Sequence, residues 1–203
     1  MPINALPTKA RLPTMADRLA LRWSTSRIID GLWVGHYRDA AAPALQRVEE
    51  ALSTIKRYDP LQHARVIHNL DRIWVYLIPD AIAYFDRSIS ACVLDERFVL
   101  AVTTTPNEIA SAIIHEATHA KLECRGVNYE EGCRSRIESI CLRRELAFAV
   151  KLPHGEQLRE QIVRTLAACA DPAYFTTCSS VILKVWSRSF NTWAGRLGSL
   201  EYL

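Results

Sequence analysis

The residues best able to do chemistry lie in "NEIASAIIHEATHAKLE", positions 107–123. His115 and His119 stand four apart, with Glu116 directly after the first. On a helix, side chains four apart project from one face in neighbouring turns, so both imidazoles can reach one ion. Zinc takes histidine nitrogen at about 2.0–2.1 Å. Glu116 falls about 100° round the helix from His115. It would stand beside a metal rather than on it, placed to take a proton from a water that zinc has acidified to a pKa of about 7. With 6 His in 203 residues, this spacing arises by accident in roughly one such chain in a hundred. The neighbours Ile113-Ile114 and Ala117-Thr118 are uncharged. That suits a buried helix, where a stray charge would lack a partner. The bland alternative is a helix with two surface or packing histidines.

Two imidazoles do not fix a zinc ion. Catalytic sites use three protein ligands and keep one position for water. The metzincin pattern wants a glycine three residues after the second histidine and another histidine six after it. Leu122 and Arg125 stand there instead. Residues 132–152 offer a better donor. At 100° per residue, Ile137, Phe148, Cys141, Leu152, Ala149 and Leu142 form one apolar arc of about 140°. Glu138 and Glu145 fall inside it, as does Arg134 in the solvent-near first turn, while Arg136, Ser139, Arg143 and Lys151 fall outside. A carboxylate within a buried face costs several kcal/mol unless something pairs with it. A zinc ion would do so, and so would an arginine. Glu138 is the favoured ligand. Glu145 is read as a group that orients a histidine or arginine, or as the ligand in its place. Glu123, a turn after His119, ranks third.

The elements that must hold these residues are legible in outline. Thr105-Pro106-Asn107-Glu108 reads as a helix start, with a capping threonine, proline at the first helical position and a glutamate closing the capping box. The helix runs to about Leu122. A second covers Gly132–Leu152 and stops at Pro153, and a third spans Glu156–Ala170. Upstream, Leu45, Val48, Leu52 and Ile55 mark a helix over 43–58, and Asp59-Pro60 breaks it before a shorter helix to Asn69. "RIWVYLI", "SACVL" and "RFVLAV" (72–78, 90–94 and 97–102) are rich in β-branched and aromatic residues and read as strands of a small antiparallel meander, with Asp95-Glu96 as a turn.

At this point the chain resembles the zincin metallopeptidases of the gluzincin type. "IIHEATHA" at 113–120 matches their motif, and Glu138, with 18 residues between it and His119, fits the spacing of thermolysin-like members. The single small domain, roughly 65–152, is similar to the minimal members called minigluzincins. The resemblance implies an α+β, zincin-like fold with a small antiparallel or mixed sheet, an active-site helix, a ligand helix and flanking helices. It implies Zn2+ on His115, His119 and Glu138, with Glu116 as general base for peptide-bond hydrolysis. It further implies that an extended peptide adds to an edge strand before the active-site helix, here Arg97–Val102. Thermolysin-like members carry an Asp four residues after the ligand Glu, where this chain has Leu142. One histidine must then be oriented from elsewhere, with Glu145 the nearest candidate. Tyr129, His154 and Tyr174 are candidates for stabilising an oxyanion. The competing function is a zinc-bearing regulatory or interaction module with little or no turnover.

Composition frames these readings. The 203 residues are 49% hydrophobic and 23% charged, enough for an ordinary core without disulfides. A net charge of +3 is too mild to imply nucleic acid. The scattered cysteines contain no CxxC pair and read as reduced, small apolar residues. No apolar run reaches the length of a membrane span and no secretory signal is evident, so a cytoplasmic protein is expected. The expected organisation is a loose arm over 1–15, a metallopeptidase domain over 16–170 and an amphipathic helical tail over 171–203. Within the tail, Ile182, Val185, Trp186, Phe190, Trp193 and Leu197 share one helical face. The 181–197 helix would dock on the domain, on a partner or on a second copy.

Overall fold

The structure, a computed structural model, describes residues 14–37, 41–79, 81–127 and 131–169. The expected tail helix at 181–197, most of the N-terminal arm, and Tyr129 and Tyr174 lie outside the described residues. The architecture is α+β. Helices α1 (Met15–Trp23), α2 (Ala41–Tyr58), α3 (Pro60–Asn69), α4 (Glu96–Leu100), α5 (Pro106–Cys124), α6 (Glu131–Ala149) and α7 (Glu156–Cys169) surround a sheet. Its strands are β1 (Thr25–Ile29), β2 (Leu32–His36), β3 (Arg72–Tyr76), β4 (Ala83–Asp86) and β5 (Ala91–Asp95).

The sheet is mixed, in the order β1-β2-β3-β5-β4, and not an antiparallel meander. β2, β3 and β5 run parallel, while β1 and β4 lie antiparallel at the two edges. A parallel pair needs a crossover connection, and α2 with α3 supplies the one between β2 and β3. β1 and β2 turn on Asp30 and Gly31, both at positive φ (50° and 89°). This two-residue turn matches the twist of a hairpin. Side chains alternate as the pleat requires. Ile73, Val75, Cys92 and Leu94 join the main core under the helices, whereas Trp74, Ala91 and Val93 form a smaller cluster on the other face, against Ala20 and Leu21 of α1.

The segment expected as a third strand, Arg97–Val102, is not one. Asp95 ends β5 and caps α4, its Oδ1 accepting from the backbone N–H of Arg97 at 2.8 Å and of Phe98 at 3.2 Å. Those cap bonds turn the chain helical despite its β-favouring composition, so Arg97–Val102 cannot present a strand edge to a peptide. The outer strand beside α5 is β4 instead.

α5 forms where expected and is the axis of the domain. Thr105 and Glu108 exchange bonds, with the Thr105 N–H donating to the Glu108 carboxylate at 2.7 Å and the Glu108 N–H donating to Thr105 Oγ1 at 3.3 Å. Ile109, Ala110, Ile113, Ile114, Ala117 and Ala120 are all buried. The helix is therefore covered on most sides, packing on α2, α3, α6, β4 and β5. A helix embedded like this takes its stability from packing more than from propensity. α6 ends at Ala149, three residues before the expected Leu152. We expect Thr105→Ala to lower unfolding stability by about 1 kcal/mol in urea titrations, the usual worth of a cap. Ile113→Ala should cost about 2–5 kcal/mol through the cavity it leaves.

Candidate metal centre

α5 and α6 meet along the faces that carry the polar residues singled out above. His115 and His119 are nearly enclosed, and Glu138 and Glu145 are only 5% and 3% exposed. The apolar arc predicted for this helix is buried: Ile137, Cys141, Leu142, Phe148 and Ala149 on α6, and Leu152 just beyond its end. Both glutamates sit within it, as the helical wheel requires.

The donor atoms converge. His115 Nε2 and His119 Nε2 lie 3.0 Å apart. His115 Nε2 is 3.2 Å from Glu138 Oε2, and His119 Nε2 is 3.7 Å from Glu138 Oε1. Tetrahedral zinc ligands at about 2.1 Å from the ion stand about 3.4 Å from one another. The observed separations bracket that value. On the far side of the ring, His115 Nδ1 meets Glu145 Oε1 at 2.6 Å, and Glu145 Oε2 accepts from Ser111 Oγ at 2.7 Å. Glu145 thus orients the His115 ring through Nδ1, which leaves Nε2 as the nitrogen directed at His119 and Glu138. Lone pairs that close repel unless a proton or a cation lies between them.

The electrostatics follow from this crowding. Burial pulls His115 toward neutrality, but the charge of Glu145, then Cys141 and the bonds to Glu138 and Glu145 outweigh it and hold its pKa well above the ordinary value. His119 is pushed down to about 4 by burial and by His115, against the pull of Glu138. The two rings are thus shifted in opposite directions, a consequence of their sharing one face.

Glu116 is 7% exposed. Its pKa is raised to about 7, chiefly by burial, with Glu138 and Glu145 adding to the rise. His115 and the backbone N–H of Phe85 on β4 pull the other way. A carboxylate poised near neutrality can both accept and release a proton. Glu123 is directed elsewhere, its Oε1 2.9 Å from Arg87 Nη1. His154 is exposed in the turn between α6 and α7, near Glu156.

Three residues escape the sequence reading. Cys141 joins His115 and His119 in a group whose donor atoms all lie within 4.8 Å of one another. Its position three after Glu138, on the same helical face, was the available signal. Burial pushes its thiol up to about 12, with Glu138, Glu116 and Glu145 adding to the rise and His115 pulling the other way. Ser111, four residues before His115, supports Glu145. Phe85 belongs to a strand too short to stand out in the sequence.

Comparison with protein-family models and with curated proteins finds no match to the chain. Elemental analysis of the purified protein should show one metal ion per chain, lost in His119→Ala and in Glu138→Ala. Glu145→Gln should keep the stoichiometry while weakening affinity by about 10–100-fold, the usual worth of a group that orients a ligand. Full loading after Glu138→Ala would transfer the ligand role to Cys141.

Proposed function

We propose that the chain hydrolyses peptide bonds with Zn2+ held by His115, His119 and Glu138. The observation that carries this reading is the convergence of these side chains, with a buried glutamate directly beside the first. The donor set of two imidazoles and a carboxylate is one that zinc uses in hydrolytic sites. When bound there, zinc would acidify a water and polarise the scissile carbonyl. Glu116 takes the proton of the attacking water and hands it to the departing amine, the task for which its pKa near 7 suits it. Glu145 keeps the His115 ring oriented, with Ser111 holding Glu145 in turn.

β4 supports a peptide substrate. It is the last strand on its side of the sheet, it packs on α5, and the Phe85 backbone N–H acts on Glu116 itself. An extended chain added to that edge would pass beside the general base and be bound through its backbone, with little demand on its sequence.

Cys141 favours a second reading. As a fourth protein ligand beside His115, His119 and Glu138 it would close the coordination shell, leaving no position for water, as in structural zinc sites. The chain would then be a zinc-bearing regulatory or interaction module. Glu116→Gln and Cys141→Ala separate the two readings. For the hydrolase, Glu116→Gln retains zinc but loses about 10²–10⁴-fold in peptide hydrolysis, and Cys141→Ala retains both zinc and activity. For the closed site, Cys141→Ala weakens zinc binding, and cobalt-substituted protein loses its thiolate charge-transfer band. Chelation should abolish hydrolysis and zinc readdition restore it; activity that survives metal removal would rule out the hydrolytic reading.

A further inference from the structure

A second cluster of charge lies on another flank of α5. A cavity of about 110 Å³ opens between α3, α5 and α6 and is lined by Arg65, Lys121, Arg125 and Arg144, with no carboxylate in its wall. Gln62 and Thr118 add polar groups, both buried. Lys121 stands within the electrostatic reach of Arg125, Arg65 and Arg144. Among the described residues none of the four is ion-paired. Arg65 donates to the neutral Gln62 side chain at 3.0 Å.

Among the described residues, no carboxylate of these three helices lines the hollow. α3 contains no acidic residue. On α5 and α6, Glu123 is engaged by Arg87, and Glu138 and Glu145 face His115. The partial negative charge at the C-terminal end of α5 accounts for Lys121 and Arg125. It does not account for Arg65 on α3 or for Arg144 on α6, which bring two further guanidinium groups to the same hollow. Like charges gathered around a concave, partly enclosed surface focus a positive potential. Guanidinium groups match the oxygens of a phosphoryl group bidentately, and the cavity has room for such a group and a water or two.

We propose that this cavity is a seat for one phosphoryl group, bound by Arg65, Lys121, Arg125 and Arg144 and independent of the histidine site. Because the seat joins three helices, an occupant would tie α3 and α6 to α5.

The test is calorimetric titration of the full-length, metal-loaded protein with inorganic phosphate, against chloride at equal ionic strength. One saturable site per chain is expected. Arg144→Gln and Arg65→Gln, from different helices, should each weaken it by about tenfold, as expected for loss of one charge-assisted contact, with metal content unchanged. Each variant stands in for the other if one misfolds. Phosphoserine distinguishes the sources. Binding tighter than inorganic phosphate marks a seat for an esterified phosphoryl group, and weaker binding marks one for the free ion. Heat no greater than that of chloride, or equal affinity in wild type and both variants, overturns the proposal.

Discussion

The interior of this domain is organised around carboxylates that would be costly to bury alone. Glu138 and Glu145 lie in the apolar face of α6, where an unpaired carboxylate costs several kcal/mol. Both are met by histidines of α5. Glu145 is saturated by His115 and Ser111. Glu138 faces both imidazoles. The α5–α6 contact is thus an electrostatic match embedded in an aliphatic one, and its register follows from the need to place each acid opposite a ring nitrogen. Sliding one helix by a turn would leave at least one charge stranded.

This constraint reaches outward. To present His115 and His119 to α6, α5 must be held from its other sides, and α2, α3, β4 and β5 do so with aliphatic residues. Placing Glu116 under β4 brings the sheet edge to the same point. The histidine site, the general-base candidate and the outer strand are therefore three consequences of how one helix is embedded. The basic hollow between α3, α5 and α6 uses a further flank of that helix, with charges of opposite sign to those of Glu138 and Glu145. α5 thereby separates an acidic interior from a basic exterior.

Much of the site was legible because helical periodicity is a local property. Four-residue spacing put His115 and His119 together, and the wheel of α6 placed Glu138 and Glu145 inside an arc that proves buried. The capping box at Thr105–Glu108 located the start of α5 from four residues alone. Strand assignments fared differently. "RIWVYLI" contains β3, and "SACVL" covers all of β5 but its last residue, Asp95. "RFVLAV" has equally β-favouring residues yet folds as α4, because Asp95 caps it. β1 and β2 passed unread although Asp30-Gly31 is a strong hairpin signal, and β4 is short and only partly buried.

By itself the sequence determined which side chains share a helical face, since 3.6 residues per turn needs no knowledge of the rest of the molecule. It named His115, His119, Glu116 and Glu138 and the helices that carry them. Only the tertiary structure decided what those faces meet. Cys141 became a candidate donor because α6 turns it toward the histidines, and Glu145 found His115 rather than an arginine. The edge strand proved to be β4 because β3 and β5 pair in parallel. The pairing of distant segments depends on crossover connections and on the summed burial of the whole core, and neither is written in any window of a few residues.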